Sequence, residues 1–164
     1  VSTSLRRASC AVAVTVVAAA GCTGADDSGP AVPSPSGKAA ETCRSLSDRL
    51  PKRVDGKQRI TLDPASKYTA AWGDPAIELR CGVPRPEKLS PGSEHYNPTA
   101  EAAEVNGVSW LLEQREGGYR FTTTGRAANV ELTVPDDYAP EINALTDLAK
   151  AVRTSVPEAG PDHH

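Results

Sequence analysis

What this chain has little of narrows its reading before any motif is sought. Histidine is scarce, three in 164 residues. His95 stands alone inside the chain, and His163 and His164 end it. One internal histidine cannot build a two-histidine metal site, and a terminal pair on a polar tail is a poor cage, so neither a metal nor another cofactor is expected. Aromatic residues make up only 4%, which disfavours the deep apolar pocket of a small-ligand carrier. There is no basic excess: 18 Lys and Arg face 21 Asp and Glu for a net charge of −3, so nucleic acid is not an expected partner. No apolar run reaches the roughly 18 residues of a membrane-spanning helix. Catalytic patterns are thin as well. Ser109 follows Gly107 by two positions, but Leu111 stands where a nucleophile elbow would carry its second glycine, so Ser109 reads as a strand residue.

The N-terminus is richer. Arg6 and Arg7 precede a small-residue and valine-rich stretch from Ala8 to Ala20, which ends in Ala19-Ala20-Gly21-Cys22. A positive start, an apolar centre and small residues before the end describe an export signal. The cysteine placed straight after Ala-Gly makes it resemble a bacterial lipobox, with Ala19 where leucine is usual. Residues 1–21 are therefore read as a lipoprotein signal peptide and Cys22 as the lipidation site. Acyl chains contribute about 0.8 kcal/mol per buried methylene, so two of them hold a protein to a membrane durably. Loss of Arg6 and Arg7 makes the mature chain more acidic still, so lipid rather than overall charge must do the anchoring. The expected location is the extracytoplasmic face of the cell membrane.

Of the four cysteines, Cys10 leaves with the signal and Cys22 is taken by lipid. Cys43 and Cys81 remain, and in an exported domain an even pair reads as a disulfide. Closing that loop is worth about 4 kcal/mol in the chain-entropy model.

Residues 23–38, TGADDSGPAVPSPSGK, hold too little apolar surface to fold by themselves and read, with Cys22, as a disordered tether over 22–38. The expected domain covers 39–156, and residues 157–164 read as a flexible tail. Ala39, Cys43, Leu46 and Leu50 form one helical stripe ended by Pro51. In Ala76–Val83 the residues Ile77, Leu79, Cys81 and Val83 alternate with Glu78 and Arg80, a half-buried strand. Asn106-Gly107 between two extended runs predicts a hairpin. Gly117-Gly118 and Gly125-Arg126 then set off Tyr119–Thr124 and Ala128–Val134 as further strands. Ile142, Leu145, Leu148, Ala149 and Val152 mark a last helix, with Pro140 in its first turn and Asp137 as its cap. Helices at the two ends and strands between predict an α+β domain: an antiparallel sheet of about four to five strands with both helices on one face. The other face should show Glu78, Arg80, Arg120, Thr122, Thr124, Asn129 and Glu131.

The run Ala71-Trp72-Gly73-Asp74-Pro75-Ala76-Ile77-Glu78-Leu79-Arg80-Cys81-Gly82-Val83 resembles the signature of an actinobacterial membrane-lipoprotein family, the domain of unknown function numbered 3515. Val105-Asn106-Gly107-Val108 with Trp110-Leu111, and Tyr119-Arg120-Phe121-Thr122-Thr123, resemble two further stretches of it. The resemblance implies a small exported or lipid-anchored protein of the cell envelope. It implies no activity, cofactor or catalytic residue.

Residue chemistry leaves three functions open. The first is a non-catalytic binding or accessory module, touching membrane lipid through Cys22 and an envelope protein or wall polymer through the domain. Candidate partner-binding residues are Trp72 and Asp74 of the signature, Arg80 on the open face, and His95 and Tyr96. The last two sit in the stretch 84–100, which carries Pro84, Pro86, Pro91 and Pro98. Loops that long are uncommon inside compact domains and are either functional or disordered. The second is a cell-wall-active enzyme. It would use Cys81 with His95, or two carboxylates from Asp63, Asp74, Glu78, Glu104, Glu113, Asp136 and Asp137 facing one cleft. The third is a small-ligand carrier. Lys52, Arg53, Lys57 and Arg59 around Asp55-Gly56 form a basic cluster, read as a solvated loop or as a contact for anionic envelope polymers.

Overall fold

In the computed structural model, residues 29–160 are described. Cys22, the signal peptide and residues 161–164 lie outside the described residues. Helix α1 (Gly37–Ser47) opens the ordered domain. Strands β1 (Arg53–Val54), β2 (Lys57–Ile60), β3 (Thr69–Trp72) and β4 (Ile77–Cys81) follow. After a long connection come β5 (Ala102–Val105), β6 (Val108–Arg115), β7 (Gly118–Thr123) and β8 (Val130–Pro135), and then helix α2 (Asn143–Ser155).

The strands form one sheet in the order β1-β2-β3-β4-β8-β7-β6-β5, with antiparallel neighbours throughout. The fold is thus α+β with two helices and one disulfide, but the sheet has eight strands among the described residues and not the four to five expected. The difference lies at the N-terminal end. The Asp55-Gly56 pair takes positive φ at both positions, +46° and +71°, the same turn chemistry as Asn106-Gly107 at +50° and +79°. The basic cluster around it is therefore a β-hairpin. Its strands are short and mostly exposed, so they carry no alternation that a reader of sequence would recognise. Strand β3 fails the same test for the opposite reason. All four of its residues are buried, and burial on both faces erases the period of two.

Alternation is clean in β4, and in β6 and β8 every second residue still faces the core. Ile77, Leu79 and Cys81 of β4, Val130, Leu132 and Val134 of β8, and Val108 and Trp110 of β6 are buried in one core with Leu46 of α1 and Leu145 and Leu148 of α2. Both helices cover that face. Cys43 of α1 is bonded to Cys81 of β4, with Cα atoms 5.6 Å apart. Both residues are fully buried, so the bond staples helix to sheet through the core. The last helix begins later than expected. Asp136–Tyr138 form a separate 3-10 turn, and no side-chain hydrogen bond caps α2, so Asp137 is not its cap.

Two flanking segments lie on the domain. Pro35 packs on Gly82, whose φ is +87° and where an added Cβ would stand 2.5 Å from the Pro35 Cβ. Both the backbone conformation and the close approach call for glycine there. At the other end, Ala127 N donates to Pro157 O and Ala159 N to Gly125 O, at 2.9 and 2.8 Å.

The strand order explains the length of the 84–100 connection. Strand β4 lies in the middle of the sheet and β5 at its edge, with β8, β7 and β6 between them. Four strand spacings of about 4.8 Å make about 19 Å. The chain must therefore run across the face of the sheet before the β5–β8 meander returns to pair with β4.

Candidate functional site

That crossing chain and the open sheet face beneath it enclose a cleft of about 730 Å³. Pairing register places its floor. Arg80 of β4 is opposite Glu131 of β8, and Glu131 is opposite Thr122 of β7. Glu113 of β6 is opposite Arg120 of β7. The roof is the segment Val83–Lys88 with His95 and Asn97.

The roof is tied down by its own hydrogen bonds. Asn97 N donates to Lys88 O at 3.0 Å, and Arg85 Nε to Leu89 O at 2.9 Å. Asn97 Oδ1 accepts from Thr99 N and Oγ1 at 3.0 and 2.9 Å. The Nδ2 group of Asn129, just before β8, donates to Val83 O at 3.1 Å, which fixes the start of the crossing.

Two carboxylates on the floor organise the charges. Glu131 is 9% exposed, and its oxygens lie 3.6 Å from the Nε atoms of both Arg80 and Arg120. Glu113 is 7% exposed, and its Oε1 lies 3.2 Å from Arg115 Nη2 and 3.7 Å from Lys88 Nζ. Lys88 belongs to the roof, so this pair joins roof to floor. Outside these clusters, Glu87 lies 3.6 Å from His95 Nε2. The Nε atoms of Arg80 and Arg120 and the Thr122 hydroxyl are buried without a hydrogen-bond partner. Glu78, next to Arg80 on the same face, has its carboxyl pushed above the ordinary range. Burial is the main cause, Glu131 adds to it, and Arg80 opposes it.

The structure separates the residues singled out as partner-binding. Arg80 and His95 line the cleft. Tyr96 is 44% exposed on the crossing segment and does not line it. Trp72 is fully buried on the helix side of the sheet, where its Nε1 donates to Pro51 O at 3.1 Å. Asp74 is exposed in the turn between β3 and β4 and does not line the cleft. Cys81 is held in its disulfide, so it offers no thiolate to pair with His95.

Lys88, Arg85 and Arg115 are cleft residues that no sequence motif marked. Arg115 could have been found by alternation along β6 with Glu113; the two on the roof carry no local signal. The cations of the β1–β2 hairpin serve elsewhere: Arg53 donates to Gly56 O at 2.9 Å, Lys57 lies 4.6 Å from the centre of the Tyr138 ring, and Arg59 lies 5.8 Å from the centre of the Trp72 ring. Among the described residues no group of three or more His, Cys, Asp or Glu side chains could hold a metal ion. None of the described helices is long and apolar enough to cross a membrane.

Comparison with known proteins finds no match among curated proteins and none among solved structures. Residues 7–160 match the model of a family described as a protein of unknown function, DUF3515. The match spans nearly the whole chain and agrees with the resemblance carried by Ala71–Val83, so the chain belongs to the DUF3515 family.

Proposed function

We propose that this is a lipid-anchored protein of the extracytoplasmic face whose domain is a non-catalytic binding module, with the roofed cleft as its ligand site. The observation that carries the reading is the cleft itself. Its volume of about 730 Å³ falls in the range of small-molecule sites, about 300–1,000 Å³, and the charged and polar side chains of its floor are held in place by strands. Polar chemistry suits a wall fragment or other polar envelope ligand better than the apolar cargo of a carrier. A core disulfide supports an oxidising compartment, and the lipobox-like Ala19-Ala20-Gly21-Cys22 supports the anchor.

A photo-crosslinking residue at Asn97, in the roof, tests the site in cells against one at Lys150, on the exposed side of α2. Asn97 is expected to capture envelope material that Lys150 does not; equal capture, or none, refutes the reading. Cys22→Ala tests the anchor, with release to the medium or failure of processing expected and firm retention of a processed chain counting against it.

One observation favours hydrolysis instead: Glu113 and Glu131 both line the cleft. Two carboxylates across a cleft are what glycoside hydrolysis needs, but each of these is engaged by two cations, an arrangement suited to positioning charge. Release of reducing ends from purified cell wall, lost in both Glu113→Gln and Glu131→Gln, would establish the hydrolase.

A further inference from the structure

Building on the reading of the cleft as a ligand site, we propose that its ligand is an anion, presenting a carboxylate or phosphate group to Arg80 and Arg120. The first support is the charge balance inside the cleft. Glu131 faces two guanidinium groups and Glu113 faces Arg115 and Lys88, so each carboxylate is outnumbered by its cations. With Glu87 counted, five Lys and Arg side chains line the cleft against three carboxylates, and against four when Glu78 next to Arg80 is included. The lining is therefore net positive, in a chain whose net charge is −3. Composition alone would make a cleft of the other sign.

The second support is unspent donors. An arginine carries five N–H groups. Arg80 and Arg120 meet Glu131 at 3.6 Å through Nε, beyond hydrogen-bond length for an N–H donor. Their Nε atoms lack any hydrogen-bond partner, as does the Thr122 hydroxyl, which also lines the cleft. Thr122 is 1% exposed, and burying such a group unpaired costs stability. The side chains of Arg80 and Arg120 keep 32% and 37% of their surface while Nε is buried, which leaves their outer ends to meet a ligand. Arg80 opposite Glu131 and Arg120 diagonal to it, on three neighbouring strands, thus pre-position two guanidinium forks of the kind that suits an oxyanion.

A cationic ligand finds no such welcome. The carboxylates it would need are already surrounded by cations, and the excess positive charge would repel it at close range. An anion would also draw on Lys88 and so bind roof to floor.

Titration of the full chain in detergent, watched through the arginine Nε–Hε resonances, tests this. The probes are inorganic phosphate and N-acetylglycinate as the two anions, with methylammonium and N-acetylglucosamine as cationic and neutral counterparts. The Arg80 and Arg120 signals should shift to saturation with at least one anion, and the stronger arm tells phosphate from carboxylate. Arg80→Gln should weaken that binding by about tenfold or more, the scale of one charge-assisted hydrogen bond, and Arg53→Gln should leave it unchanged. Arg80→Lys, which keeps the charge and loses the fork, gives the same test if the glutamine variant does not fold. Saturation by methylammonium or N-acetylglucosamine alone overturns the anion assignment and leaves the cleft a ligand site. No saturation by any probe overturns both. Anion binding equally strong in the Arg80 and Arg120 variants overturns the assignment to these residues.

Discussion

Breaking the link between Cys43 and Cys81 should remove a large part of the stability of the domain, and the size can be worked out. The bond joins residues 38 apart in sequence. Loop closure over that length contributes about 4 kcal/mol in the chain-entropy model, against the roughly 5–15 kcal/mol by which a domain is stable at all. The effect should fall first on α1, which the bond ties to β4 and whose Cys43 and Leu46 lie in the common core. The clean comparison is the oxidised chain against the same chain refolded under reductant, because no atom is deleted but the covalent link. Urea unfolding can be followed by the fluorescence of Trp72 and Trp110, both fully buried. With a slope of about 1.5–2 kcal/mol per molar, the midpoint should drop by about 2–3 M. Amide exchange in α1 should accelerate more than exchange in β6 and β7. A stability difference below about 1 kcal/mol, or unchanged exchange in α1, would refute the view that the bond anchors this helix.

Two further outcomes follow from buried polar groups. Trp72→Phe should cost about 1–2 kcal/mol more than Trp110→Phe in urea unfolding. The first leaves the Pro51 carbonyl without its donor, whereas the Trp110 Nε1 has no partner to lose; equal or reversed costs would contradict this. Glu78→Gln should be more stable than the parent at pH 7, with the advantage fading as the medium is acidified. Burial raises the native carboxyl above its ordinary value of 4.5, so the native state carries an unfavourable charge at neutral pH. It sheds that charge as pH falls through the raised value, and below 4.5 both states are protonated and the two chains should converge. An advantage that stays constant or grows on acidification, in parallel urea titrations, would show that the sign is wrong.

Local signals decided much of this protein. The stripe Cys43–Leu46 and the alternation Ile77–Leu79–Cys81 placed both cysteines facing inward, and the disulfide joins them. Asn106-Gly107 made its hairpin because both positions accept positive φ, and the polar face bearing Glu78, Arg80, Arg120, Thr122 and Glu131 lies away from the helices as alternation required. Asp55-Gly56 carried the same turn signal, hidden by the charged residues on either side of it. Only the tertiary structure decided the rest. Glu113, Arg120 and Glu131 are gathered by the local β6–β7–β8 meander, but Arg80 joins them only because β8 pairs with β4. Hydrogen bonding between strands is indifferent to how far apart they stand in sequence, so nothing local announces which strands will be adjacent. The same pairing obliges residues 84–100 to travel across the sheet, and turns a proline-rich stretch with no motif into the roof of a charged cleft.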